Sequence, residues 1–591
     1  MIRSAGNRRL PGAVYASNVS KKSTMRLIRL SIAVCCLCVL PAAHAAADDT
    51  VLDAMQAELA RSKAAYFKAK VPAYFIAYRI NDDEHVDVNA EFGALTGSTT
   101  AHVRSLNVEL RTGDYKFDNT HPTQAPGGMP GFARGTATQR VGLDSDARAL
   151  RSEIWSATDS TYWRAVEELA KAKADAAVQT AAEDKSDDFS REPKLDLVEP
   201  QLEYQLDVDA WREKVKKYSA PFTADSRIYA AHASVSVART TRWMVTSEGS
   251  RVRHSELTYL LDVRAATKAD DGMELPGMIR FVANRPEALP DDATVLAAVN
   301  GLMADLKALR TAPVVDAYAG PAILDNRAAG VFFHEVIGHR LEGHRLRDES
   351  DAQTLKKKLG ERILPESVSI TFDPTRKDLD GQALMGNYAV DDEGVRARPV
   401  QVVEHGVLRN FLMSRTPIEG FAQSNGHGRS QAGYRPVARQ SNMLVSVDAA
   451  IGYAELKRRL LAEIAEQHKP WGLIIRDLDG GFTDTRRAGT GGAKLLPTMV
   501  YRLYADGHEE LVRGVDLVGT PLTLLAEIEA ADTRLGVFHG WCGAESGYVP
   551  VSTVAPDLLI RRIEVQRKPK SPDRLPILPA PIDEHADEAR P

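Results

Sequence analysis

Between residues 233 and 265 the chain reads ASVSVARTTRWMVTSEGSRVRHSELTYLLDVRA, two alternating apolar/polar runs joined at Glu248 and Gly249. A period of two sends successive side chains to opposite faces, so such runs must build sheets that bury one face, and the Glu-Gly step between them predicts a hairpin. Alternation also begins at Ala73, through YFIAYRI, HVDVNAEF and SLNVELRT. It returns after residue 315 as short strands with Gly-rich turns, in DDEGVRARPVQVVEHGVLRNFLMS and LPTMVYRLYADGHEELVRGVDLVG. Helical periodicity is confined to a few places. Val51, Leu52, Met55 and Leu59 share one face within residues 48–71, polar helices are expected from Asp144 to about Asp188, and further helices near 293–310 and 453–467. The expected fold class is α+β.

At 591 residues a single hydrophobic core would be overgrown, so more than one domain is expected. The pattern divides into a mixed α/β N-terminal domain over residues 46–315 and a C-terminal β-rich domain over 316–567. Residues 140–200 read as an insertion, with the charged, proline-containing stretch Asp184 to Pro200 as a linker or surface excursion. The tail 568–591 is proline-rich with almost no periodicity and is expected to be disordered. Residues 1–45 hold seven Lys/Arg and no acid, leaving 68 basic and 80 acidic residues beyond them, a balance that argues against a nucleic-acid partner.

From Met25 the order is Arg26, Arg29, an apolar run Leu30 to Leu40, and small residues around Ala43 to Ala45, the pattern of a signal peptide. Met25 is the favoured start and cleavage is expected near Ala45 or Ala47. The apolar run is about half of the ~20 residues a membrane-spanning helix needs. The expected product is exported, periplasmic or secreted, without stable membrane insertion. Removing this segment removes Cys35, Cys36 and Cys38 and leaves Cys542 as the one thiol. A lone thiol in an oxidising compartment is expected to be buried, paired between chains or held by a metal.

The densest chemistry lies in VFFHEVIGHRLEGH, which packs His334, Glu335, His339, Glu342 and His344 into eleven residues. Zinc-peptidase helices place two histidines four residues apart on one face, with the adjacent Glu as base. Here the step is five, which on an ideal helix turns the second imidazole about 140° from the first. A π-bulge at Gly338 would repair the geometry. Cys542, in the Gly-flanked turn FHGWCGAESGYVP, offers a soft thiolate to a zinc ion held by two imidazoles. A His2Cys set leaves a position for water, and Glu335 is placed to take its proton, which is the chemistry of amide hydrolysis. His344 is an alternative third ligand, and Glu342 is expected to orient a ligand imidazole.

Several segments together resemble the TldD/PmbA metallopeptidase family. They are HEVIGHRLEG (334–343), GNYAVDDEGV (386–395), EHGVLRNFL (404–412), SNGHGR (424–429), RPVARQSN (435–442) and WCGAESGYVPV (541–551). The resemblance covers most of residues 315–555 and is weaker before them, where WMVTSEGSRVRHSE carries it. It implies zinc on His334, His339 and Cys542, with Glu335 as catalytic base. It also implies a C-terminal domain of curved antiparallel sheets and assembly around a cavity that admits peptides or unfolded chains. The assembly would be a homodimer or a heterodimer with a PmbA-like subunit. The signal peptide departs from the family's cytoplasmic members.

Other groups carry weaker expectations. His427 and Arg429 are candidate substrate-binding donors, set against a loop whose arginines satisfy backbone carbonyls. The run Asp391, Asp392, Glu393 reads as an acidic turn before Gly394 more than as a Ca²⁺ or Mg²⁺ site. The segment 480–494 is glycine-rich but lacks the phosphate-loop pattern. Two rival functions stand beside the peptidase. One is a thiol hydrolase with Cys542 as nucleophile and His539 or His344 as base; the other is a non-catalytic subunit that holds peptides or a partner.

Overall fold

The computed structural model describes residues 49–122, 138–178, 184–487, 489 and 492–569. The segment expected to be a signal peptide, residues 1–45, and nearly all of the proline-rich tail lie outside the described residues. Among the described residues two large sheets dominate. The first has seven strands, in the order 138–140, 94–112, 73–91, 228–246, 251–268, 196–198, with 274–283 also paired to 251–268. Its long strands are antiparallel, and the predicted hairpin lies between Ile228–Thr246 and Arg251–Lys268.

Helices α1 (Thr50–Tyr66) and α2 (Ala147–Val178) cover one part of the first sheet's face, and α3 (Val208–Ser219) and α4 (Asp292–Thr311) another. Two apolar clusters fill the space beneath them. One contains Met55, Ile76, Tyr78, Ile80 and Ile154, the other Val88, Val215, Tyr218, Val299 and Leu306.

The three strands expected from Ala73 onward are two. Ala73–Glu91 is one 19-residue strand that runs straight through Asn81, Asp82, Asp83 and Glu84. The facing strands neutralise the acidic side chains of Asp82 and Glu84. Arg104 reaches Asp82 at 2.5 Å, His102 Nε2 lies 2.5 Å from the other Asp82 oxygen, and Arg239 pairs with Glu84. The stretch Asp184 to Pro200 also differs from a surface excursion, because Asp188, Phe189 and Ser190 are buried. Asp188 pairs with Arg347 at 2.5 Å, Ser190 N–H donates to the Arg415 carbonyl, and Asp196–Val198 adds a parallel strand to the first sheet.

The second sheet has eleven strands, with the 21-residue strand Gly547–Arg567 at its centre. That strand pairs with Ile528–Ala544, Val515–Gly519 and Tyr318–Leu324 in antiparallel fashion and with Asn442–Val447 in parallel. A second parallel pairing joins Tyr318–Leu324 to Trp471–Thr483. Helix α5 (Asn326–Val336) packs against this sheet. Every residue from Ala328 to Val336 is buried, as expected of a helix that is mostly apolar around its circumference. Its first free N–H, on Asn326, donates to Asp557 of the central strand, one of the N-terminal donors that a helix cannot satisfy internally. No described helix is long and apolar enough to cross a membrane.

Candidate metal centre

His334 and Glu335 occupy the last turn of α5. The five-residue step to His339 is accommodated by ending the helix, which corrects the expected π-bulge. Ile337 leaves helical geometry (φ −122°, ψ −34°), and residues Gly338–Leu341 form a 3₁₀ turn that carries His339. Gly338 matters here for a different reason than bulge tolerance. A Cβ at this position would lie 2.2 Å from Gln440 Oε1, so the buried Gln440 side chain occupies the space a larger residue would need.

Cys542 arrives from the opposite end of the sequence, near the tip of the hairpin formed by Ile528–Ala544 and Gly547–Arg567. It points to the side of its strand that faces α5, and His339 Nε2 lies 3.4 Å from Sγ. The ligating atoms of His334, His339 and Cys542 all fall within 4.8 Å of one another, and the three residues are buried. The two imidazoles stand nearly perpendicular, at 80°, with centroids 5.2 Å apart. His334 Nδ1 is buried without a hydrogen-bond partner among the described residues. Two imidazoles and a thiol converging in this way, with an orphaned nitrogen, match the donor set of a zinc site that keeps one open position.

The electrostatics favour a thiolate. Burial alone pushes the Cys542 thiol up, but His339 and then Arg439 outweigh it and hold the thiol well below its ordinary range. Burial opposes charge on His339 too, yet Cys542 and Glu342 raise it well above the usual imidazole value. Glu342 is wholly enclosed. Burial raises it, while His339 and Arg345 bring it down to about 2, so it stays a carboxylate. It accepts from His339 Nδ1 at 3.2 Å and from Arg345 Nε at 2.8 Å. Such a carboxylate fixes the ring so that Nε2 faces the other ligands.

Glu335 sits beside this trio rather than in it. No hydrogen bond to its carboxylate occurs among the described residues, and its Cγ lies 2.9 Å from where a Cβ on Gly481 would stand. A bare Gly481 is what lets the carboxylate group approach the strand Trp471–Thr483.

The other candidates fall elsewhere. His427 is fully buried, with Nδ1 3.1 Å from Asn425 Oδ1 and Nε2 3.2 Å from Ser441 Oγ, and burial lowers it to about 3. Arg429 donates to the Gln440 carbonyl at 2.5 Å and lies over the Tyr388 ring. Both are interior residues whose donors are engaged by the chain itself. His344 pairs with Glu545, and His539 lies 2.9 Å from Ser552 Oγ on the other face of the Cys542 strand, so neither contacts the thiol. The acidic run forms the expected turn. Asp391 accepts the N–H groups of Glu393, Val395 and Gly428, and burial still raises it to about 7. Arg345, Glu545 and Gln440 were missed by sequence reasoning. The spacing Glu342 to Arg345, one helical turn, was the available signal for the first.

Residues 318–567 match the PmbA/TldA metallopeptidase C-terminal domain. A protein from Archaeoglobus fulgidus named a metalloprotease is 31% identical over 253 residues, 42% of this chain and 54% of that one. A zinc metalloprotease TldD homologue from Saccharolobus solfataricus is 23% identical over 248 residues, 42% of this chain and 51% of its own length. The chain thus spans about half the length of these curated relatives. The likeness in fold extends further. TldE from Thermococcus kodakarensis superposes with a TM-score of 0.56 over 87% of this chain and 100% of that chain, at 13% identity. Residues 318–567 are thus similar to the C-terminal domain of the PmbA/TldA metallopeptidases, and the fold shared with TldE extends over 87% of the chain.

Proposed function

We propose that the chain is a zinc-dependent peptidase, with His334, His339 and Cys542 holding the ion and Glu335 serving as general base. The observation that carries this reading is the convergence of two imidazoles and a thiol within 4.8 Å, beside the Glu335 carboxylate, which has no hydrogen bond among the described residues. When bound, zinc supplies Lewis acidity that polarises a carbonyl and acidifies water. Glu335 then takes a proton and returns it to the leaving amine, and Glu342 keeps the His339 ring in register. Peptides or unfolded chains are the substrates that fit, since the family's name and the relatives' names point to peptide bonds. The TldE likeness supports assembly with a second, similarly folded subunit or as a homodimer, and the pattern around Met25 supports export. A second reading, a thiol hydrolase, draws on the 3.4 Å contact between Cys542 and His339. Elemental analysis and peptide hydrolysis with and without chelator separate the two. About one zinc per chain and loss of activity with chelator supports the peptidase; activity that survives metal removal but not thiol alkylation overturns it.

A further inference from the structure

Arg439 is fully buried, just ahead of the strand Asn442–Val447. Its Nη2 donates to the Cys542 carbonyl at 2.5 Å, and its Nη1 donates to Ser546 Oγ at 2.7 Å and to the Gly547 carbonyl at 3.0 Å. Its Nε forms an ion pair with Glu342 Oε1 at 3.4 Å. The other oxygen of Glu342 accepts from His339 Nδ1, and the same ring presents Nε2 to Cys542 Sγ. The contacts close on themselves, from Arg439 to the Cys542 backbone, to its sulfur, to His339, to Glu342 and back to Arg439.

One guanidinium therefore holds both the hairpin that delivers the thiolate and the carboxylate that orients the imidazole. A flat group with donors spread over a rigid fork can do this, whereas an ammonium offers its donors at one point. A buried guanidinium is costly unless it is paired and hydrogen-bonded, and every partner of Arg439 named above belongs to the hairpin or to the support of His339. Glu545, by comparison, fastens the hairpin tip through His344 and Arg345 and lies outside the ring of contacts.

We propose that Arg439 is a positioning residue of the metal site, setting the separation of Cys542 Sγ and His339 Nε2 and thereby the affinity for zinc. This rests on the zinc reading above. The test uses the full-length protein and measures zinc affinity by competition with a chromophoric chelator, the thiolate-to-metal band of the Co²⁺-loaded protein, and the melting temperature. Arg439→Lys is expected to weaken zinc by about 10–100-fold and to shift the Co²⁺ band. Glu342→Gln, which keeps the shape but removes the charge facing Arg439, is expected to weaken zinc in the same range. Glu545→Gln is expected to lower the melting temperature with a smaller change in affinity. If Arg439→Lys does not fold, Glu342→Gln reads the same linkage alone. Wild-type affinity and an unshifted Co²⁺ band in Glu342→Gln and in any folded Arg439→Lys overturn the proposal, whatever happens to melting. Wild-type protein that binds neither ion overturns the zinc reading, and the proposal with it.

Discussion

Among the described residues two places bring three potential metal ligands together, and they are built on opposite logic. On the first sheet, Asp82, Glu84 and His102 place ligating atoms within 4.8 Å, as His334, His339 and Cys542 do against the second. On the first sheet the arginines act on the ligands themselves: Arg104 takes Asp82 and Arg239 takes Glu84, so two guanidinium groups already cancel two carboxylates. At the second centre Arg345 and Arg439 form their ion pairs with Glu342, one step behind His339, rather than with a ligand carboxylate. A cation brought to the first cluster would displace existing partners, whereas at the second it would meet donors waiting for one. Proximity of ligand atoms is common to both, and what separates them is where the countercharge sits.

The largest expected effect divides the two clusters outright. His339→Ala or Cys542→Ala should take zinc from about one ion per chain to near none, while His102→Ala leaves it unchanged, as read by elemental analysis. Loss of zinc in the His102 variant would reverse the assignment. Next, Glu335→Gln should lower peptide turnover by about 10²–10⁴-fold with zinc retained, measured by steady-state kinetics beside metal content. Third, Arg104→Ala leaves His102 as the remaining partner of the buried Asp82 and should cost about 3 kcal/mol in denaturant unfolding without altering zinc stoichiometry. An unchanged unfolding midpoint would mean that the pairing is not what lets Asp82 sit inside a strand.

The smallest effect concerns pH. His427 is held neutral, at about 3, below an unfolded value of about 6.5, so the unfolded chain binds the proton first on acidification. Its contribution to stability is complete above about pH 6.5 and is lost as pH falls toward 3. That amounts to about 2 kcal/mol at pH 5. Urea midpoints should therefore fall more steeply between pH 7 and 5 in the wild type than in His427→Gln. Equal slopes would show that His427 is reachable by protons in the folded state and return it to the list of substrate-facing groups.

What the sequence disclosed and what it hid follow one rule of distance. The β-rich class, α1, α4 and the helix Tyr453–Glu466 rest on periodicities within a few residues and were legible. So was the His-Glu motif, whose residues are neighbours in the chain. The continuity of Ala73–Glu91 was hidden, because Asp82 and Glu84 are tolerable in a strand only with Arg104 and Arg239 opposite, the latter 155 residues away. The form of the turn after α5 was hidden because Gln440, about a hundred residues on, occupies the space beside Gly338. Burial of Asp188 and Ser190 depends on Arg347 and Arg415, both far downstream. In each case a polar residue that looks like surface by itself becomes interior through a partner that no local pattern reveals.

The span between the two halves of the metal centre has a consequence for how the molecule matures. His339 and Cys542 are 203 residues apart in sequence, and joining ends that distant carries a closure entropy of about 5 kcal/mol. A nascent or unravelled chain offers its histidine pair early but its thiolate only after Gly547–Arg567 has settled among its neighbouring strands. Under the proposed zinc reading, ion capture by all three donors would therefore report the completion of the second sheet and come late in folding.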